Sequence, residues 1–259
     1  MTRHHSLTML VLGLLAAMLA APLITGRIVA LAQAPIAEEK APELEKIVFI
    51  DYGRPGKDPP GRQQQEEDIH SGASGSTDPC GDGSSQYSLK QIKWNSFPVS
   101  YYVNSGAVTS GVDKLAARQA IVNAFNTIDK ENHPSVTFFT RTSDSSNAKI
   151  KVSWAAIDGS GGAIARTTVW YNTATKVISR AEIVFDTANK WFISSKSSCA
   201  GISGSPFDIQ DVATHEVGHA VGLGHVSDTK LTMYGSAAQG ETLKRSLGIG
   251  DQKGIDAIY

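Results

Sequence analysis

Three of the seven histidines in this chain lie in the stretch HEVGHAVGLGH, which runs from His215 to His225. On a helix, His215 and His219 are four positions apart, and their imidazole rings therefore leave the same face. Two neutral imidazoles on one helical turn form half of a zinc site. Glu216 is predicted to reach a metal-activated water molecule and to act as its general base.

Gly222 explains how the third histidine can reach the same site. A helix that continued past this position would carry His225 away from the face that bears the first two rings. Glycine adopts the left-handed conformation that ends a helix and turns the chain, so His225 can return as a third ligand. Three protein ligands leave one position for water, which is typical of a catalytic zinc site rather than a closed structural one.

The extended pattern resembles the signature of the metzincin zinc endopeptidases, H-E-x-x-H-x-x-G-x-x-H followed by a methionine. The resemblance implies that Met233, within KLTMYGS, forms a hydrophobic floor under the metal. Among metzincins the matrixins are most similar, because HEVGHAVGLGHVSD, LTMY and GIGDQKGIDAIY resemble their zinc segment, methionine turn and final helix. The resemblance covers about residues 94–259 and implies a protease that acts on proteins or peptides.

The resemblance also bears on the number of metal ions. Matrixins usually hold a second, structural zinc through histidines in two upstream segments, but Arg166 and Val184 stand at the matching positions here. We therefore predict one zinc only. Asp158 and Asp186 match calcium ligands of the family, whereas Asn189 replaces a third acid. Both a weakened calcium site and a solvated turn remain open, because calcium prefers several oxygen ligands.

The elements that must position these residues form an α+β pattern. Alternating apolar residues predict strands in PVSYYV, SVTFFT, KIKVSW and AEIVF, with a further short strand in AIARTTVWY. An amphipathic helix is predicted in TSGVDKLAARQAIVNAFNTIDK, where Ser110 and Asp113 resemble a capping box. A second helix spans about residues 208–222, and a third lies near the C-terminus. We predict one zincin-like catalytic domain over residues 88–259, with a mixed, twisted sheet of about five strands and three helices.

The N-terminal third has a different character. Residues 1–32 combine a short basic head, an apolar run and the small-residue spacing of a cleavable secretory signal. An uncleaved membrane anchor is the alternative, because the run is close to the lower limit of about 17 residues for a spanning helix. Residues 33–87 are acidic and rich in Pro, Gly and Ser, which predicts a largely disordered linker or propeptide. Within them, residues 47–50 (IVFI) are apolar enough for a strand that docks on the domain.

The two cysteines, Cys80 and Cys199, allow two interpretations. In an exported chain they most simply form one disulfide. The family resemblance offers another, since matrixin propeptides silence the enzyme with a cysteine thiolate in the fourth zinc position. DPCGDG resembles that motif only faintly, because Pro79 replaces its basic residue.

Charge and composition narrow the function classes. The net charge of −1 gives no basic balance for nucleic acid or an anionic membrane surface. We expect a secreted, monomeric zinc endopeptidase that makes no membrane contact unless its N-terminal segment is retained. The alternative is an extracellular module that kept the zinc and the fold but lost activity. The presence of Glu216 favours the enzyme, because loss of that acid would be the simplest way to end the chemistry.

Overall fold

A computed structural model describes residues 43–53, 69–70, 84–132, 137–195 and 206–259. Its strands are β1 (Leu44–Gly53), β2 (Ile69–His70), β3 (Tyr87–Ser88), β4 (Val99–Val103), β5 (Phe139–Arg141), β6 (Ile150–Ala155), β7 (Ala163–Asn172), β8 (Ile178–Asp186), β9 (Trp191–Phe192), β10 (Phe207–Asp208) and β11 (Ser236–Ala237). Its helices are α1 (Lys114–Asn132), α2 (Ile209–Ala220) and α3 (Ile249–Ile258), with a short 3₁₀ turn at Leu243–Arg245. The predictions for residues 1–32, Cys80 and Cys199 lie outside the described residues.

The main sheet is mixed, with strands in the order β11-β1-β7-β8-β6-β4-β5. The β1–β7 and β7–β8 pairs are antiparallel, whereas the other neighbours are parallel. The α+β architecture with three α-helices is thus confirmed for the described residues. The predicted number of about five strands is wrong, because seven strands pair here. The N-terminal segment contributes β1, and Ser236 and Ala237, which follow Met233, contribute β11.

Strand β1 lies in the segment for which the sequence predicted a linker or propeptide. The strand predicted at residues 47–50 extends over Leu44–Gly53 and pairs along the whole accessible edge of β7, from Leu44 opposite Asn172 to Tyr52 opposite Ala163. This part of the segment predicted as largely disordered is therefore a strand of the domain. Alternation places Ile47, Phe49 and Asp51 on one face, of which the last two are buried.

Helix α1 forms as its apolar pattern predicts, but its cap differs. The predicted stripe of Ala117, Ile121, Ala124, Phe125 and Ile128 is fully buried. The helix begins at Lys114, and Asp113 accepts a hydrogen bond from the Ala116 backbone N–H at 2.8 Å. Asp113 is thus the capping residue, and the capping box expected from Ser110 is wrong. The short carboxylate of Asp113 reaches the free backbone N–H groups of the first turn directly.

Helix α2 forms the interior of the domain. It contacts α1 on one side and β7 and β8 on the other, and each of its residues except Gln210 is buried. The Asp208 side chain caps its N-terminus by accepting from Asp211 N at 2.9 Å. The side chains that α2 presents to the sheet consequently lie in an environment shielded from water.

The end of α2 is a glycine-dependent turn. Gly222 has a φ of +105°, and its N–H bonds to His219 O while the next N–H, of Leu223, bonds to Gly218 O. This pair of bonds is the Schellman motif, in which a left-handed residue satisfies the last carbonyl groups of a helix. A Cβ atom at Gly222 would lie 2.5 Å from the Ile92 carbonyl oxygen. Both backbone conformation and space therefore require glycine here.

No helix among the described residues combines the length and the apolar character needed to cross a membrane.

Gly222→Ala should destabilise the protein more than Gly111→Ala. Both glycines have positive φ, but a Cβ at Gly111 would meet nothing within 4 Å. Backbone strain costs about 1–2 kcal/mol at either site, and the clash with Ile92 should add about 1–3 kcal/mol at Gly222 alone. Chemical unfolding monitored by circular dichroism measures both values. Equal losses for the two variants would contradict the clash.

Candidate active site

Three imidazole rings converge at the centre of the domain. His215 and His219 extend from α2, and the turn at Gly222 brings His225 back to them. The ring centroids are 4.6 Å apart for His215 and His219 and 4.7 Å apart for His219 and His225. The structure thus brings together all three residues that the sequence predicted as ligands. His225 is the most accessible, with 26% of its side chain exposed.

Backbone carbonyls fix the orientation of the two helical rings. His215 Nδ1 donates to Thr232 O at 2.5 Å, and His219 Nδ1 donates to Leu223 O at 2.9 Å. A donor proton on Nδ1 leaves the Nε2 lone pair of a neutral ring free to bind a metal. Burial lowers the pKa of His219 to about 3 and also lowers the pKa of His215. Both rings are therefore neutral at pH 7.

A fourth group, which the sequence analysis did not single out, joins the three rings. The carboxylate of Asp51 on β1 lies 2.9 Å from His215 Nε2, 3.6 Å from His219 Nε2 and 3.1 Å from His225 Nε2. The register with β7 shifts between Asp51 and Tyr52, as at a β-bulge. Such irregularities re-aim side chains, and this one coincides with the residue that enters the cluster.

These four residues fit a zinc ion. One ligand atom from each lies within 4.8 Å of the other three. Two neutral rings point unprotonated nitrogens at a carboxylate in a buried space, and His219 Nε2 lies 3.0 Å from His225 Nε2. Electron-rich atoms at such distances repel one another unless a cation lies among them. Imidazole nitrogens and one carboxylate oxygen are a donor set typical of zinc.

Glu216 is held beside this cluster. Its carboxylate accepts a hydrogen bond from the Thr167 hydroxyl of β7, and the residue is fully buried. Among the described residues, its other oxygen, Oε1, has no hydrogen-bond partner. Burial, together with the negative charge of Asp51, raises the pKa of Glu216 well above its usual range. The carboxyl group is thus fixed in direction and able to exchange a proton with a molecule that reaches it.

Two glycines allow close packing at the cluster, one beside Met233 and one beside His225. A Cβ atom at Gly218, between the two helical histidines, would lie 2.3 Å from Met233 Sδ. A Cβ at Gly235 would lie 2.9 Å from His225 Nδ1. The buried methionine therefore packs directly on the backbone of α2, and its role as a floor under the metal stays a prediction. Sequence reasoning missed the two glycines, although Gly218 lies inside the motif itself.

Two buried side chains hold the chain that follows His225. Asp251, in α3, accepts hydrogen bonds from Thr232 N at 2.8 Å and Met233 N at 3.1 Å. Lys244 donates through Nζ to Tyr234 O at 2.6 Å and Ser236 O at 2.9 Å. These contacts fix the methionine turn and β11, which borders the cluster opposite β7. Both residues lie outside the motif and meet it only in the folded chain, so no local pattern predicts these contacts.

The upstream residues predicted from the resemblance lie in and beside the β7–β8 hairpin. Asp158 accepts from Ala163 N at 3.0 Å, and Asp186 accepts from Ala188 N at 3.0 Å and Ile157 N at 3.2 Å. Both carboxylates thus have backbone partners, and calcium binding there stays a prediction. Arg166 and Val184 face each other across the two strands. Among the described residues, the cluster around His219 is the one group of three or more ligand side chains, and the count of one zinc also stays a prediction.

Comparisons with known proteins agree with this geometry. Residues 93–259 match the matrixin family, which is more than half of the chain. The chain belongs to the matrixins. Members of this family are zinc metalloendopeptidases.

Several curated matrixin relatives align with parts of the chain. Metalloendoproteinase 1 of Glycine max is 39% identical over 75 residues, which are 29% of this chain and 24% of the relative. Karilysin of Tannerella forsythia is 26% identical over 160 residues, 59% of this chain and 30% of the relative. Matrilysin of Homo sapiens is 43% identical over 47 residues, 18% of each chain. The chain thus covers less than a third of each of these matrixins.

We expect this matrixin to bind one zinc ion per chain and His219→Ala to lose most of it. The substitution removes a ligand and its carbonyl bond, and even partners of ligands typically change metal affinity about 10–100-fold. Metal analysis after dialysis against a weak chelator measures the stoichiometry. Glu216→Gln is the matched control, since it alters the same buried helix without removing a predicted ligand. Equal zinc content in wild type and His219→Ala would contradict the assignment.

Proposed function

We propose that this matrixin is an exported zinc endopeptidase in which Glu216 is the general base. The observation that carries the proposal is that three imidazole rings converge beside one buried, oriented carboxyl group. Two of the rings extend from the helix that also carries this carboxyl group. His215 and Glu216 are neighbours on α2, so one rigid element sets both metal and base. A module that only bound zinc would not need the Thr167 hydroxyl to orient that acid.

The residues divide the chemistry among them. His215, His219 and His225 would hold the metal, which when bound supplies a Lewis acid for the peptide carbonyl and for a water molecule. Glu216 takes the proton of the attacking water and delivers it to the leaving amine. Thr167 keeps the carboxyl group pointing at that water, because its hydroxyl hydrogen bond restricts rotation.

The edge of β7 next to the cluster, which β1 covers in the structure, would bind the substrate backbone once β1 is displaced. An extended peptide can add to such an edge through main-chain hydrogen bonds. On the other side, the two residues of β11, which also pair with β1 in the structure, would then offer a second line of backbone groups, held in place by Lys244. We propose protein or peptide substrates that lie between these two segments. The residues from Tyr234 to Gly240 would line the pocket for the side chain beyond the cut.

Export and latency complete the proposal. The signal-like residues 1–32 support secretion or an outward-facing anchor, and the position of β1 supports a propeptide within residues 33–87. A protease made in latent form protects the cell that produces it. Control by Cys80 stays a separate prediction, because that residue lies outside the described ones.

Glu216→Gln should abolish peptide cleavage while zinc stays bound. Glutamine keeps the shape of the side chain but cannot accept the proton of water, and loss of general-base catalysis typically lowers kcat about 10²–10⁴-fold. Both variants to compare carry Asp51→Ala in the full chain, and one of them also carries Glu216→Gln. Removing the Asp51 carboxylate, which lies among the three imidazole rings, leaves room there for water and substrate. A quenched-peptide library read by fluorescence measures cleavage, and metal analysis measures zinc.

The control for that pair is Glu182→Gln, on β8, in the same Asp51→Ala background. It should leave cleavage unchanged, because Glu182 lies away from the cluster. If Asp51→Ala holds zinc but cuts no peptide or protein, the zinc-binding module becomes the better interpretation. If the Glu216→Gln pair cuts at equal rates, another residue acts as the base.

A further inference from the structure

Strand β1 lies where a substrate of the proposed enzyme would have to lie. Its residues Leu44 to Tyr52 pair with β7, and Tyr52 and Gly53 pair in parallel with Ser236 and Ala237 of β11. The backbone groups of both segments that border the cluster are thus already bonded by the chain itself. A peptide could use them only after β1 had left.

The side chains of β1 fill the site as closely as its backbone does. The Phe49 ring stacks on the His219 ring at a centroid distance of 3.9 Å and an angle of 9°. Asp51, two residues further along the same face, reaches all three Nε2 atoms within 3.6 Å. Both residues are almost completely buried. Water is therefore excluded from the side of the rings that faces β1.

The strand also fits the wall beyond the cluster. A Cβ atom at Gly53 would lie 2.3 Å from Phe207 Cζ and 3.1 Å from Ile164 Cγ2. A residue with a side chain could not follow Tyr52 in this position without movement of the buried Phe207. The sequence of β1, with a stacking ring, an acid and a glycine at these three places, matches the groove in shape and chemistry.

We infer that β1 is an internal inhibitor and that Asp51 is a fourth, displaceable ligand of the metal held by the three histidines. The inhibitory part, that β1 blocks the active site, rests on the proposed function. The ligand part, that Asp51 binds the metal, rests on the geometry of the cluster alone. Four protein ligands close a tetrahedral zinc site, whereas catalysis needs one open position. Withdrawal of β1 would open that position and the edge of β7 together.

The assignment differs from the two roles that the sequence suggested for latency. A cysteine thiolate from Cys80 would need the position that the Asp51 carboxylate occupies in the structure. A passive linker would place no charged group in a buried cluster, because the burial of an unpaired carboxylate is costly. A cation must balance the charge of Asp51, and a zinc ion held by the three imidazole nitrogens that face this carboxylate would supply it.

The ligand part can be tested without any activity measurement. The full chain is loaded with Co²⁺, whose visible absorption reports the ligands around it, and is titrated with acetohydroxamic acid, a small chelating probe. Wild type should respond weakly, because Asp51 and β1 close the site. Asp51→Ala should bind the probe about ten-fold or more tightly and lose metal to a chelator about ten-fold or more quickly.

Three further variants separate the ligand from the strand. Asp51→Asn keeps the size of the side chain and one acceptor oxygen but removes the charge, and it guards against a folding defect in Asp51→Ala. It should behave like the alanine variant. Phe49→Ala loosens β1 but keeps the carboxylate, so metal retention should stay near that of wild type while the probe gains access. Val48→Ala, on the exposed face of β1, should match wild type in both readouts.

Peptide cleavage then tests the inhibitory part. Asp51→Ala should cut a quenched-peptide library about ten-fold or more rapidly than the full-length wild type. If wild type binds the probe as tightly as Asp51→Ala and retains metal equally well, Asp51 is not a ligand and the inference is overturned. If wild type and Asp51→Ala cut peptides at the same rate, the inhibitory role of β1 is overturned while the proposed function stands. If the spectra differ as expected and no variant cuts peptides, the ligand assignment stands and the proposed function fails.

Discussion

Repulsion among electron-rich ligand atoms that lie close together in a buried site is the main constraint on this molecule. Three imidazole nitrogens and a carboxylate approach one point, and α2, β1 and β7 keep water away from it. Two backbone carbonyls hold the protons of His215 and His219 on the far side of their rings. Only a cation makes such an arrangement favourable, so the fold and the metal are expected to stabilise each other.

The geometry of the backbone around this point follows from a few local rules. A left-handed glycine ends α2 and returns the chain, and missing side chains at Gly218 and Gly235 let Met233 and His225 approach closely. Asp251 and Lys244 then bind the loop beyond Met233 by its backbone atoms. Each contact takes the place of a hydrogen bond to water that burial would otherwise remove. The site is consequently rigid on three sides, and β1 forms the fourth.

Sequence reasoning reached the helical half of the site and stopped short of the rest, for physical reasons. The spacing of His215, His219 and Gly222 encodes a helix face and its end, which are local properties of the chain. The strand at residues 47–50 was also visible from its composition, but the prediction ended one residue before Asp51. The carboxylate meets His225 across 174 positions of sequence, and no local pattern reports such a contact.

The errors at the edges of elements have the same origin. The Asp113 cap and the predicted Ser110 cap differ by three residues, and both have side chains that can accept the bond. The two-residue strand β11 has no alternation to detect, because it forms only where β1 pairs with it. Strand number in this matrixin therefore depends on a segment outside the part of the chain that matches its family.

The long pairing between β1 and β7 also has a bearing on solubility. Once β1 departs, β7 presents an unprotected rim of amide and carbonyl groups, and such rims attract other extended chains, including identical copies. The edge is covered while β1 is in place, whereas an opened form would expose it to pairing with other copies of the chain. The strand that blocks the site would then also protect the edge of β7 from aggregation.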